Sequence, residues 1–105
     1  MKIAALLFAA LGLGMTSGAH AATAEELIKT SGCVACHQND VKVVGPAYKD
    51  VAAKYKGDAG AAAKLTAKVK AGGSGVWGPV PMPPHPQVKE ADIKTMIAYV
   101  LSLKK

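Results

Sequence analysis

The apolar residues of this chain follow two patterns. From Ile3 to Leu13 they run almost without a break, behind the positive charge of Lys2 and ahead of the small residues of Ala19-His20-Ala21. Beyond that point they are spaced. Ile93, Met96, Ile97, Val100 and Leu101 stand at i, i+3, i+4, i+7 and i+8 and predict an amphipathic helix from about Lys89 to Leu103. Tyr48, Val51, Ala52 and Tyr55 predict another over about Ala47 to Tyr55, with Pro46 suited to its start and Gly57 lying past its end. Ala62, Leu65 and Val69 form the inner stripe of a third, about Ala61 to Lys70. Asp58 or Gly60 opens it, and Gly72-Gly73-Ser74-Gly75 stops it. A short helix over Thr23 to Thr30 is marked by Thr23 and Glu26 at the spacing of a capping box, with Leu27 and Ile28 facing inward. No segment reads convincingly as a strand, and no internal repeat is present. The expected fold class is all-α, with about four helices.

One stretch fits none of these patterns. Between Val76 and Pro86 prolines occupy positions 79, 81, 83, 84 and 86. Each fixes φ and removes a backbone donor, so the segment is expected to be an extended, stiff loop, neither helix nor central strand.

The Ile3–Leu13 run is that of a secretory signal peptide. It falls well short of the ~18 residues needed to span a bilayer. No cysteine sits at the cleavage site to carry a lipid. The reading is a leader at 1–21, cleaved after Ala21, and one exported, soluble domain at 22–105, without membrane insertion. That domain has 84 residues. At this length a core is marginal, and small folds lean on a disulfide, a metal or a cofactor. The one phenylalanine, Phe8, lies in the leader, so Tyr48, Tyr55, Trp77 and Tyr99 are the remaining aromatic rings. The core is short of large apolar groups.

Cys33-Val34-Ala35-Cys36-His37 answers that shortage. It contains both cysteines of the chain. Two thiols separated by two residues reach the two vinyl groups on one edge of a haem and form thioethers with them. His37, directly after the second, then lies under the iron as proximal ligand. The spacing is the signature of c-type haem attachment. A buried haem supplies the missing apolar body, so the apoprotein is expected to fold poorly. A disulfide across so small a gap would constrain the unfolded chain little. Zinc wants about four ligands, and only His37 and His85 remain to help. A redox dithiol accompanies a βαβ pattern, which this chain lacks.

A second axial ligand has three sources in the mature chain: Met82, Met96 and His85. Met96 belongs to the inner stripe of the last helix. Met82 sits in Pro81-Met82-Pro83-Pro84, where a flexible thioether is carried on a stiff backbone. Such a loop keeps sulfur within bonding distance of iron in both oxidation states, so Met82 is assigned as the distal ligand. A haem enzyme or gas sensor would need an open or displaceable sixth position, and the proline-methionine loop fills that side.

The attachment motif, Val44-Gly45-Pro46-Ala47-Tyr48-Lys49-Asp50-Val51-Ala52 and Val76-Trp77-Gly78-Pro79-Val80-Pro81-Met82-Pro83-Pro84 together resemble the small bacterial class I cytochromes c. The resemblance covers essentially the whole mature chain. It implies a monohaem fold with helices wrapped around covalent haem c, and a periplasmic electron carrier, not an enzyme, that feeds a terminal reductase or oxidase. It further implies that the Pro46 carbonyl accepts the His37 Nδ1–H bond, that Trp77 packs at the haem edge with its indole N–H on a propionate, and that Lys68 stands where relatives often carry a propionate-pairing arginine. His85 occupies a position where relatives often have an asparagine near the ligand sulfur, and Gln87 is a one-residue insertion. His85 reads as a surface loop residue. Lys89 stands where relatives have a helix cap and cannot accept that bond, so the last helix should fray slightly at its start.

After loss of Lys2 the chain carries 12 lysines, no arginine and 7 acids, a formal net charge of +5. A basic carrier steers toward redox partners with acidic docking surfaces. Dispersed lysines without arginine exclude a nucleic-acid reading. The expected carrier is monomeric.

Overall fold

The computed structural model describes residues 22–104, so the expected leader at 1–21 lies outside the described residues. The elements are α1 (Ala24–Thr30), a three-residue 3₁₀ turn (Cys33–Ala35), α2 (Tyr48–Lys54), α3 (Ala61–Ala71), β1 (Gly73–Gly75), β2 (Gly78–Met82) and α4 (Glu90–Ser102). The fold is mainly helical. α4 is its hub and packs against α1, α2 and α3. Its stripe, Ile93, Met96, Ile97 and Val100, meets Ile28 of α1, Tyr48 and Val51 of α2 and Leu65 of α3 in one apolar cluster, with Ile93 wholly buried.

Each helix start has its own solution for the free N–H groups of the first turn. At α1 the Thr23 hydroxyl accepts the Glu26 N–H at 3.2 Å. At α2 the loop after His37 does the work: Tyr48 N–H donates to Gln38 C=O at 2.8 Å and Lys49 N–H to Asn39 C=O at 3.0 Å. At α3 the Asp58 carboxylate accepts the Gly60 N–H at 2.8 Å and the Lys64 ammonium at 2.9 Å. At α4, Lys89 makes no side-chain cap, and Glu90 and Asp92 in the first turn offset the helix dipole instead.

Two expectations need correction. The buried side of α3 is Ala61, Leu65 and Thr66, and Ala62 is exposed. Alanine buries so little surface that its position marks a helix face weakly. Thr66 tolerates burial because its hydroxyl donates to the Ala62 carbonyl at 2.7 Å. The proline-rich segment is also not all loop. Gly78–Met82 is a strand, paired antiparallel with Gly73–Gly75, Gly73 with Met82 and Gly75 with Gly78, with a break in register between the two pairs. A two-stranded ladder uses the donors of alternate residues only. Prolines at 79 and 81 leave the N–H groups of Gly78, Val80 and Met82 available, so the strand survives as an edge.

The Asp58 carboxyl is held below its ordinary value of 3.8, first by the hydrogen bond from Lys64 and then by that from the Gly60 N–H. A lowered carboxylate contributes stability that is complete above the ordinary value and is lost as pH falls through the folded one. Asp58→Ala should therefore lower Tm at neutral pH, and its deficit against the parent should shrink below pH 3.8. Thermal melts across pH check this. A deficit that holds constant into acid would exclude the carboxylate as its cause.

Candidate haem site

All the helices and the hairpin face one cavity of about 530 Å³, within the ordinary range for a ligand site of ~300–1,000 Å³. Cys33, Cys36, His37, Pro46, Lys68, Trp77 and Met82 all line it. The rest of the wall is largely aliphatic, with Ile28 from α1, Val51 from α2, Leu65 and Val69 from α3, Val76 and Val80 from the hairpin, and Ile97 and Val100 from α4.

On the motif side, Gly32 has φ of +81°, a left-handed turn that glycine reaches without strain. It starts the 3₁₀ turn, and Cys33 C=O then accepts the N–H of Cys36 at 3.1 Å and that of His37 at 2.9 Å. This folds the two cysteines and the histidine into one tight turn. Both cysteines are free thiols. Burial raises the Cys33 thiol above its ordinary value, and burial likewise raises the Tyr48 phenol beside it. His37 Nδ1 lies 2.8 Å from the Pro46 carbonyl oxygen. A carbonyl can only accept, so Nδ1 carries the proton. In the neutral ring that leaves the Nε2 lone pair for a metal.

On the methionine side the backbone is braced to the end of α3. Gly72 has φ of +69°, and a Cβ there would stand 2.5 Å from the Met82 carbonyl oxygen and 2.7 Å from the Pro84 nitrogen. His85 N–H donates to Val69 C=O at 3.0 Å. Together with the Gly73–Met82 pairing, these contacts hold Met82 between a strand and a helix end. Lys68 reaches across β1, its Nζ 2.9 Å from where a Gly73 Cβ would lie. Trp77, at the hairpin turn, receives the Lys54 ammonium 5.6 Å from its ring centroid.

His85 lies in the loop as expected but is not fully exposed. It is half-buried, lines the cavity, and keeps its Nδ1 buried without a hydrogen-bond partner among the described residues. Flanking Pro84 and Pro86 and the bond to Val69 turn it inward. Sequence reasoning also passed over Gly45, Gly72 and the cavity-facing role of Tyr48. The first two matter for the side chain they lack, which no periodicity registers.

The residues fit a covalently held planar group: two free thiols in one turn, an imidazole with an available Nε2, and a deep apolar slot. Residues 21–104 match the cytochrome c family model. Over 105 residues the chain is 52% identical to cytochrome c-551 of Pseudomonas aeruginosa, covering 99% of this chain and 100% of that one. The chain belongs to the cytochrome c family. This cytochrome is also 48% identical over 99 residues to cytochrome c-552 of Hydrogenobacter thermophilus, covering 94% of this chain and 96% of that protein. Its structure resembles that of Nitrosomonas europaea cytochrome c552 at 51% identity and a TM-score of 0.74, covering 76% of this chain and 99% of the other. The cytochrome is of the small class I type and transfers electrons. Its two cysteines, Cys33 and Cys36, fit covalently attached haem c.

Gly72→Ala should destabilise the cytochrome by about 2–4 kcal/mol, the cost of a side chain at a positive-φ extended backbone that glycine alone adopts freely plus overpacking against the Met82 loop. Denaturant melts of the holoprotein measure it. A change below about 0.5 kcal/mol, the ordinary range for a surface substitution, would mean that the loop is not braced there.

Proposed function

We propose that this cytochrome is a periplasmic monohaem carrier that passes single electrons to a terminal reductase or oxidase, with His37 and Met82 as axial ligands. The observation that carries the reading is one cavity lined by both cysteines, by His37 with its Nδ1 engaged, and by Met82 on a braced strand. When bound, a c-type haem supplies one-electron exchange between ferrous and ferric iron. The residues of the chain do the rest. Pro46 fixes the tautomer of His37 and holds one edge of its ring through its carbonyl. Met82 offers a soft thioether, which favours the ferrous state and raises the potential above that of a two-nitrogen site. The bracing of its backbone limits movement between oxidation states. Lys68 and Trp77 would hold the propionates, one as a point charge and one through the indole N–H. The leader at 1–21 directs export, and the mature domain works as a monomer.

The exit for electrons lies at the attachment motif. Val34, Val41, Val43 and Val44 are exposed. The bridge between His37 and Lys42 draws the 41–44 loop against the motif. An apolar surface with Lys42 in it suits a brief encounter with an acidic redox protein, small in area and fast to dissociate.

Two measurements test this reading. The ferric protein should show the weak long-wavelength band of methionine sulfur on iron, and Met82→Ala should abolish it. Persistence of the band in that variant would transfer the ligand role to Met96. A low-spin parent spectrum lacking the band would transfer it to His85. Separately, the rate of electron transfer to an acidic redox protein should fall steeply as ionic strength rises. A rate flat in salt would remove the steering role of the lysines.

A further inference from the structure

We propose that Tyr48 and Gly45 are positioning residues that lock the rotation of the His37 imidazole and so set the electronic ground state of the bound iron. The inference rests on His37 being an axial ligand. The 2.8 Å contact from Nδ1 to the Pro46 carbonyl holds one edge of the imidazole, and a ring held at one edge keeps some freedom to rock its faces. Two further contacts remove the freedom. The Tyr48 ring stacks on the imidazole with centroids 5.0 Å apart and planes inclined by only 16°. Gly45 closes on the ring with bare backbone: a Cβ there would stand 2.4 Å from Cε1 and 2.9 Å from each ring nitrogen.

Both walls are themselves held. Gly45 N–H donates to Cys36 C=O at 2.8 Å, which ties it to the attachment motif. Tyr48 is buried at the start of α2, its N–H bonded to Gln38 C=O at 2.8 Å. The four residues from Gly45 to Tyr48 thus supply a backbone wall, a carbonyl and a flat aromatic face to one imidazole. In low-spin ferric iron the plane of an axial imidazole selects which d orbital holds the unpaired electron. That choice orders the hyperfine-shifted haem methyl resonances and sets the anisotropy of the electron spin resonance.

The test is paramagnetic NMR and electron spin resonance of the ferric holoprotein. Tyr48→Phe keeps the flat face and should keep the parental order of haem methyl shifts. Tyr48→Leu, and Tyr48→Met should the leucine variant fail to mature, should reorder those shifts and change the g-anisotropy. Gly45→Ala should do the same from the other wall. A parental pattern in the matured Tyr48 variant and in Gly45→Ala would overturn the clamp, even if their melting temperatures fell. The ligand reading is checked apart from this, in the parent protein. Strongly shifted His37 ring resonances support it, and their absence would overturn it, and the clamp with it.

Discussion

The contact from His37 Nδ1 to the Pro46 carbonyl joins two parts of the chain that would otherwise be independent. It reaches from the attachment turn to Pro46, two residues before α2, and it settles where the imidazole proton resides. The same junction carries the helix start, because Gln38 and Asn39 accept the first N–H groups of α2. α2 cannot shift without moving the histidine, nor the histidine without uncapping α2. Placing an imidazole beside the start of a packed helix gives it the rigidity of the core, which loops alone do not provide.

The opposite wall is built on another principle. Met82 hangs from a strand too short and too rich in proline to be stable alone. Its stiffness is borrowed from α3, through the Val69 carbonyl and through a glycine that lets backbone meet backbone. α3 in turn packs on α4. A site that exchanges electrons gains from this, because each atom that moves on oxidation adds to the reorganisation the reaction must overcome. The haem attachment, the apolar lining and the buried ends of α1 and α4 all serve a single cavity. An aromatic-poor chain of this length has little other core to build.

Much of this was legible in the sequence, for identifiable reasons. Ile93, Met96, Ile97 and Val100 are large and regularly spaced, so burial follows from periodicity. Thr23 and Glu26 announce a helix start because the cap is local. Cys33 and Cys36 declare their fit to covalent haem by spacing. What escaped is non-local or negative. Prolines at 79 and 81 suppress a strand signal, yet they fall on the positions an edge ladder does not use. Ala61 and Ala62 differ by one position and by no chemical property. Gly45 and Gly72 are required because an imidazole and a carbonyl come close from elsewhere in the chain. His85 looks like a polar loop residue until the bond between its backbone and Val69 turns its ring inward.

The backbone bonds that cap α2 carry one more consequence. Tyr48 to Gln38, Lys49 to Asn39, Gly45 to Cys36 and His37 to Pro46 all close loops of about ten residues or fewer. Loop-closure entropy grows only slowly with length, yet the shortest flexible loops still cost least. The half of the cavity that carries the histidine can therefore assemble from neighbours in sequence, ahead of contacts that must wait for the C-terminal helix. The methionine half has no such shortcut, since its brace runs through α3 and the α3–α4 interface. The two sides of the cavity differ in the order in which chain connectivity lets them form: one is a local latch, the other the last panel to close.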